Sequence, residues 1–475
     1  MNEKLAEALS HVDEKYVAAA GKKRMNRKNF LGLAAAVLAV VMLVNVPTIP
    51  FVITARAVAL ASESRIPERP IQNGLISDEA FDKIRDAYWA AYDKQEIASQ
   101  NAMTAMTDFF RTGSEQFLTG SDENRIWSPV NAAIALSVLA ETAAGSTRQE
   151  ILDLLGTADV ETLREYVSGL WEMAYMDDGK EICVLANSLW LDDTLEYDQT
   201  VMDTLAHDYF ASVYQGDLGS ALTNNAIQSW VNNQTGGFLK QPAKGIDVTP
   251  NHPDVETALA LASTVYLQAQ WYNEFDPSLT TQGIFHASGG DREVTYMNME
   301  EMQDNYYWGE SFGAVSLNMK NGTRMWLILP DEDKTVSDVL AEGEYLDLLG
   351  SAYSYENSKD MKINLTLPKF DITTTLDLKE GLEAMGVTEA FRLYADFGTT
   401  FDVDEPVFVN RINQATRVSI DEEGVTAASY IILDWGVGAM APAEEVIDFV
   451  LDRPFLFVIA SAEGIPIFVG TVNEP

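Results

Sequence analysis

The stretch that decides the fold is Glu422–Tyr430, which reads EEGVTAASY. Two acidic residues lead into a glycine, and uncharged, mostly small side chains follow it. The run 431–445, IILDWGVGAMAPAEE, comes next, and two very apolar strands, PFLFVIA from Pro454 and IPIFVG from Ile465, follow. This order predicts an exposed loop between two strands, with a first part that is able to enter a β-sheet.

Strand geometry tests whether this segment could enter a sheet. Alternate residues of a strand face the same side. The residues that would face the core are Val425, Ala427, Ser429, Ile431 and Leu433, and those on the other face are Thr426, Ala428, Tyr430 and Ile432. Neither charge nor proline interrupts the segment before Asp434. Because burial of a charge costs several kcal/mol, this composition favours insertion, and Gly424 supplies backbone freedom at the pivot.

Composition bounds the class of protein. The chain has 475 residues, of which 47% are hydrophobic, so it can bury a large core. Its formal net charge of -40 disfavours binding to nucleic acid, which requires a basic surface. A single cysteine, Cys183, excludes an intramolecular disulfide and is expected to be a buried hydrophobe.

The N-terminus carries a membrane signal. Residues 1–29 are predicted to be a basic cytoplasmic segment, with Lys22, Lys23, Arg24, Arg27 and Lys28 at its end. Residues 30–53 contain no charge, and a bilayer needs about 20 such residues. We expect a single-pass anchor in the cell membrane with the rest of the chain outside the cytoplasm. The alternative is a cleaved signal, with Ala61 ending a cleavage-like ALA, and a secreted protein.

The remainder is divided by composition. Residues 54–100 are predicted to be a linker and a helical stalk, because prolines precede helically spaced aromatic and charged residues. Residues 101–475 are predicted to be one α+β domain. A buried helix is expected after Trp127, where Ser128 and Pro129 stand at capping positions, and a central strand is expected from Ala258 to Trp271.

Enzyme motifs are few. GESFG, from Gly309 to Gly313, matches the GxSxG nucleophile elbow around Ser311. In that hydrolase order the base histidine follows the serine, whereas all four histidines of this chain precede Ser311. Neither metal-ligand spacing nor a phosphate-binding glycine loop is present. We therefore expect no catalytic residue, no metal and no cofactor.

Several motifs together resemble the serpin family, in serpin order and over roughly residues 103–475. They are IWSPVNAAIALSVL, IQSWVNNQTGG, ALASTVYLQAQWYNEF, MWLILP, LPKFDITTTLDLKEGLEAMGVTEAF, ADF, DEEGVTAAS, DRPFLFVI and IFVGTV. With the N-terminal segment, the resemblance is to serpins of a bacterial type. It implies a serpin fold with three β-sheets, surrounding helices and an exposed reactive-centre loop. It also implies a suicide inhibitor whose loop is cleaved and then inserted into the main sheet, while the protease is held as an acyl-enzyme.

The same resemblance assigns residues to roles in the loop. The hinge would comprise Glu422, Glu423, Gly424, Val425, Thr426, Ala427, Ala428 and Ser429. Two of the chain's residues depart from the family pattern: Val425 stands where inhibitors usually have threonine or serine, and Tyr430 stands where they have a small residue. The alternative is therefore a non-inhibitory serpin that acts as a binding or structural module.

Family spacing places the cleaved bond after Gly438, and a longer loop leaves Val437, Ala439 and Met440 as further candidates. Small or apolar residues suit elastase-like or subtilisin-like serine proteases. A cysteine protease also remains open as a target. The protein is expected to be a monomer.

The resemblance also predicts a polar cluster, the shutter, beneath the main sheet. Its positions would be Ser128, Asn131, Ser263 and Asn413. Each side chain can donate and accept hydrogen bonds, so we expect a network that controls sheet opening. The alternative is that these are simply satisfied buried polar groups.

Overall fold

Two large β-sheets and the helices packed on them share the buried side chains. The computed structural model describes residues 55–67, 69–71, 77–177, 181–218, 220–237, 259–350, 356–402, 407–425 and 445–475. The predicted membrane segment 30–53, the hinge residues Thr426, Ala427, Ala428 and Ser429, and the candidate cleavage positions Val437, Gly438, Ala439 and Met440 lie outside the described residues.

The main sheet has eight strands, and its path runs β1-β5-β4-β6-β14-β13-β12, with β3 beside β4. Its strands are β1 Ala55–Ala59, β3 Met176–Asp177, β4 Ile182–Leu191, β5 Ala211–Gly216, β6 Leu259–Gln270, β12 Phe370–Asp377, β13 Val409–Ile420 and β14 Gly424–Val425. Both faces of β4 and β6 are covered, which explains why their sequences are apolar with little alternation.

The second sheet has nine strands, in the order β15-β11-β8-β9-β10-β16-β17-β2, with β7 beside β8. They are β2 Arg125–Trp127, β7 Thr281–Ala287, β8 Gly290–Trp308, β9 Phe312–Asn318, β10 Arg324–Pro330, β11 Ser358–Pro368, β15 Val446–Val450, β16 Phe455–Ala460 and β17 Pro466–Val472.

The expected third sheet is joined to the second one by backbone pairing. The 19 residues of β8 pair with β7 and β11 and then, at Tyr307 and Trp308, with β9. A bulge interrupts the pairing of β8 with β11 at Glu301, which has a left-handed φ of 50° and lies six residues before β8 meets β9 at Tyr307. Because β8 is one long strand that pairs with both groups of strands, the two groups form a single sheet instead of two separate ones.

Ten α-helices surround the sheets in the described residues. They are α1 Asp78–Ala105, α2 Thr107–Leu118, α3 Pro129–Thr142, α4 Gly145–Leu154, α5 Val160–Ala174, α6 Gln199–Asp208, α7 Ala221–Gln234, α8 Val336–Glu342, α9 Asp347–Gly350 and α10 Lys379–Ala384. The helix expected after Trp127 is α3, and every one of its residues is buried. Because α3 is apolar on all sides, it lies within the core rather than on the surface. Within the described residues, no helix is long and apolar enough to cross a membrane.

The segment expected to be a linker and stalk contains regular structure that belongs to the fold. Strand β1 pairs antiparallel with β5 at the edge of the main sheet. The helix α1 continues through residue 100 to Ala105, so the predicted boundary falls inside one helix. The described residues from Ala55 onward form one compact unit by their contacts.

Candidate functional site

The hinge begins as a short strand inside the main sheet. After β13 the chain makes a tight turn, in which the Asp421 carboxylate accepts hydrogen bonds from the amides of Glu423, at 2.9 Å, and Gly424, at 3.1 Å. Strand β14 then runs back between β13 and β6 and is antiparallel to both. The chain therefore enters the sheet two residues before the first position outside the described residues.

Close packing explains the residue types of β14. A Cβ atom on Gly424 would lie 2.2 Å from the carbonyl oxygen of Ala269, which is far inside van der Waals contact. Val425 pairs with Ile420 on one side and with Ala269 on the other, and 1% of its surface is exposed. Its side chain belongs to the main hydrophobic core. A glycine followed by a compact apolar residue is what this slot accommodates.

Glu422 holds the start of β14 in its position between β13 and β6. Its carboxylate lies 2.6 Å from the Lys369 ammonium and accepts a hydrogen bond of 2.7 Å from the Thr280 hydroxyl. Partial burial opposes ionisation of Glu422, but the hydrogen bonds from Lys369 and Thr280 outweigh it and lower the pKa of this carboxyl. The Phe275 amide donates to the Glu422 carbonyl at 3.0 Å, and the Trp271 amide donates to that of Glu423 at 3.0 Å.

The other half of the main sheet is closed. Below the hinge, β13 pairs directly and in parallel with β6, from Val409 opposite Leu259 to Ala415 opposite Thr264. A loop that extended β14 along the sheet would have to separate these two strands. The residues that hold β6 and β13 together therefore oppose a separation of these strands.

A polar cluster lies beneath the closed half, where α3 begins. We use this name for five residues: Ser128, Asn131, Asn187, Ser263 and Gln414. The Asn131 amide donates to the Ser263 hydroxyl at 2.6 Å and to the Thr264 carbonyl at 2.9 Å, and its oxygen accepts from the Asn187 amide at 2.7 Å. The Ser128 backbone N–H donates to Gln414 at 2.7 Å, and the Gln414 amide donates to the Ser128 carbonyl at 3.0 Å. The cluster thus connects α3 to β4, β6 and β13.

The structure corrects the predicted shutter position on β13. Asn413 is buried, but strand alternation points its side chain to the face opposite that of Gln414. Ala415, which shares that opposite face, belongs to the same hydrophobic cluster as Trp230 of α7. Gln414 therefore takes the place in the cluster that the sequence analysis gave to Asn413, and its hydrogen bonds to Ser128 show the difference.

Sequence analysis also missed Asn187. It lies in the apolar strand β4, where it is 2% exposed. An amide residue inside a largely apolar and largely buried strand is the signal that could have identified it. Among the described residues, the Asn187 side-chain oxygen and the Ser128 hydroxyl have no hydrogen-bond partner. Incomplete satisfaction of buried polar atoms makes the closed arrangement less stable than a fully bonded one would be.

Ser311 lacks the setting of a catalytic serine. It is fully buried in a turn between two antiparallel strands, β8 and β9, rather than in a strand-to-helix elbow. Its hydroxyl donates to the Glu342 carboxylate. Cys183 is also fully buried, and burial raises the pKa of its thiol to about 12. A search of the described residues finds no group of three metal-ligating side chains.

Comparisons with known proteins agree with this geometry. The family model for "Serpin (serine protease inhibitor)" matches residues 102–475. Mouse neuroserpin is 30% identical in an alignment 373 residues long that covers 75% of this chain and 87% of that protein. Bovine plasminogen activator inhibitor 1 is 28% identical in an alignment 410 residues long that covers 81% of this chain and 94% of that protein.

Solved structures show the same fold. Tengpin, a thermophilic serpin in its native state, matches with a TM-score of 0.67 and 26% identity, over 78% of this chain and 93% of that one. Serpin48 from the insect Tenebrio molitor matches with a TM-score of 0.67 and 22% identity, over 79% of this chain and 98% of that one.

Proposed function

Because the chain belongs to the serpin family, whose members are generally protease inhibitors rather than enzymes, we propose that it is a suicide inhibitor of serine proteases. In this proposal a protease cleaves the loop and forms an acyl-enzyme. The cleaved loop then continues β14 between β6 and β13, and the protease is carried along and trapped.

One observation carries this proposal: β14 already lies between the two strands that must part. Val425 is buried between β13 and β6, although it stands where inhibitors usually have threonine or serine. This packing favours inhibition over the alternative of a non-inhibitory binding module. The loop residues beyond Val425 contain no charge before Asp434, so several further residues meet the chemical requirement for burial.

The polar cluster beneath the main sheet also supports the proposal. Insertion beyond β14 breaks the pairing of Ala415 with Thr264 and moves Gln414 away from Ser263. The cluster loses hydrogen bonds when the strands part, so it opposes premature insertion. Because two of its oxygen atoms lack partners, the cluster stabilises the closed sheet only moderately. The sheet can therefore still open after the loop is cleaved.

The target class follows from the loop sequence. The candidate cleavage residues Val437, Gly438, Ala439 and Met440 are small or apolar, and no basic residue lies between Arg417 and Arg453. Small apolar residues fit the shallow pockets of elastase-like and subtilisin-like proteases, whereas trypsin-like pockets require a basic residue. Cysteine proteases with similar pockets are a further target class.

Location is a separate part of the proposal. Many serpins are secreted or extracellular. We propose that residues 30–53 hold this one in the cell membrane, because the run is uncharged and follows a basic cluster. An intact full-length chain that stays with membranes after alkaline extraction would support an anchor. A soluble chain that lacks these residues would instead indicate a cleaved signal.

The experiment that tests inhibition is covalent trapping. Full-length protein is incubated with an elastase and with subtilisin, and the products are separated under denaturing conditions. A band at the summed mass is expected, and the mass of the released peptide identifies the cleaved bond. The variant Val425→Arg should be cleaved without forming this band, because a buried charge blocks insertion.

The control variant is Leu393→Arg, in which the same charge is added at a side chain that is 63% exposed. It should trap protease like the unmodified protein. Cleavage without a covalent band in the unmodified protein, with these proteases and with a cysteine protease of similar specificity, would reject the inhibitor proposal in favour of a non-inhibitory serpin.

A further inference from the structure

The N-terminal strap, residues 55–66, lies outside the residues that match the family model and yet is bonded into the fold. Strand β1 pairs with β5 over four positions, from Ala55 opposite Gly216 to Ala59 opposite Val213. The Arg56 guanidinium donates to the Tyr197 hydroxyl at 2.8 Å and to the Gln215 side chain at 2.9 Å. The strap is thus a strand of the main sheet.

Beyond β1, the strap crosses from the sheet to two helices. The Ala61 amide donates to the Ser212 hydroxyl of β5 at 3.2 Å, and the Ser62 amide donates to the Ala206 carbonyl of α6 at 2.8 Å. Two residues later the strap reaches α5, where the Ser64 hydroxyl and the Arg65 amide both donate to the carboxylate of Glu172. A single short segment therefore bonds β5, α6 and α5 together.

Glu172 makes this attachment specific. It is only 6% exposed, and among the described residues its hydrogen bonds come from the strap alone. A buried carboxylate without donors is strongly unfavourable. The surface of α5 is therefore built to receive the strap, and the domain would have an unsatisfied acidic group without it.

Arg65 closes the corner between α6 and β5. Its guanidinium lies 3.0 Å from the Asp208 carboxylate and 5.1 Å from the ring centre of Phe210. Phe210 has a left-handed φ of 51° and stacks on Trp171 of α5, with the ring centres 3.9 Å apart. A non-glycine residue in this conformation is strained and requires support from its surroundings.

We propose that the strap is an intramolecular brace that keeps the β4–β5–β6 side of the main sheet closed against β13. This inference rests on the proposed function, because loop insertion is the motion that would move that side of the sheet. The strap connects its outer strand to α5 and α6, which pack against α3 in the core. Its release lowers the barrier to sheet opening and shortens the lifetime of the loop-exposed state.

The test uses the full-length protein and three variants. Arg65→Ala removes the contacts with Asp208 and Phe210, and Glu172→Gln weakens the acceptor of the strap without changing its size. The matched control is Arg69→Ala, which removes the same charge from an exposed residue four positions further on. Each protein is held at a moderately raised temperature, and the fraction that becomes resistant to heat unfolding through loop insertion is followed.

We expect Arg65→Ala to convert about tenfold faster than the unmodified protein, as is usual for the loss of a hydrogen bond to a charged group, and Glu172→Gln to convert several-fold faster. Arg69→Ala should convert at the unmodified rate. Amide hydrogen exchange in β4 and β5 gives a second measurement, which requires neither loop insertion nor a protease. The exchange rate should rise in Arg65→Ala and Glu172→Gln but not in Arg69→Ala.

Equal conversion and equal exchange in all four proteins would overturn the brace. Faster exchange in the two strap variants would support it even if the protein traps no protease, in which case only the inhibitor proposal fails. If trapping is normal and the strap variants match the Arg69→Ala control, the inhibitor proposal stands and the brace fails.

Discussion

The two halves of the contact between β6 and β13 differ in what lies between the strands. In the hinge half, Gly424 and Val425 separate them, and in the other half the backbones pair directly from Val409 to Ala415. The hinge half is filled by apolar packing, whereas the closed half is held by backbone pairing and by the polar cluster below it. The difference teaches that, in the mechanism we propose, the barrier to further loop insertion lies in the closed half.

The largest predicted loss of stability comes from a substitution in the polar cluster below the closed half. Gln414→Ala leaves the buried backbone N–H of Ser128 without a partner, takes one of the two hydrogen bonds from the Ser128 carbonyl, which keeps the one from the Ala132 amide, and leaves a cavity; we expect it to reduce the free energy of unfolding by about 3 kcal/mol. It should also accelerate spontaneous loop insertion. Denaturant unfolding and the rate of appearance of the heat-resistant form measure the two effects.

Asn413→Ala is the matched control, because Asn413 is the adjacent buried amide residue with its side chain on the other face. It should leave the insertion rate unchanged. An equal acceleration by Asn413→Ala would mean that side-chain volume in β13, rather than the bonds to Ser128, resists opening.

The hinge half gives a smaller effect. Gly424→Val places side-chain atoms against the Ala269 carbonyl and should expel β14 from the sheet, at a cost of about 2 kcal/mol. Amide exchange at β14 and at the end of β6 should increase, while exchange in the closed half stays the same. Increased exchange throughout β13 would show that the two halves open together rather than separately.

The smallest effect concerns pH. The pKa of Glu422 is lowered from its ordinary value of 4.5 in the folded protein, so its stabilising contribution is complete above that value and is lost as pH falls through the lower folded pKa. The ion pair with Lys369 is partly exposed, so we expect a loss of about 0.5 kcal/mol.

Thermal unfolding between pH 7 and pH 3 measures this contribution. Glu422→Gln should remove part of the acid sensitivity, whereas Glu423→Gln, at an exposed neighbouring residue, should not. Identical pH profiles for the two variants would show that the Glu422 ion pair does not hold the hinge half in place.

Sequence analysis singled out the run that begins at Glu422 but could not define the polar cluster completely. The run from Glu422 has an unusual composition that identifies it directly. Membership of the polar cluster depends on which face of β13 each residue occupies, and a shift of one residue exchanges the faces. Asn413 and Gln414 are adjacent amide residues of β13, a strand in which polar and apolar residues are mixed, so composition does not distinguish them.

The N-terminal strap was missed for a related reason. ARAVA, at Ala55–Ala59, follows a long apolar run without a turn signal, and its five residues lack clear alternation. An edge strand of this kind is defined by the open edge of β5 that receives it. The two buried partners that reveal the attachment, Glu172 and Phe210, lie more than 100 residues away in the sequence.

The sequence by itself determined the α+β class, the central apolar strand, the buried helix after Trp127 and the insertable segment after Glu422. These features depend on local composition and periodicity, which a single chain displays without its neighbours. Only the tertiary structure decided that β14 already lies in the sheet, that Gln414 rather than Asn413 contacts Ser128, and that residues 55–66 belong to the fold. Each of these depends on strand register and on contacts between distant residues, which are established only when the sheet is assembled.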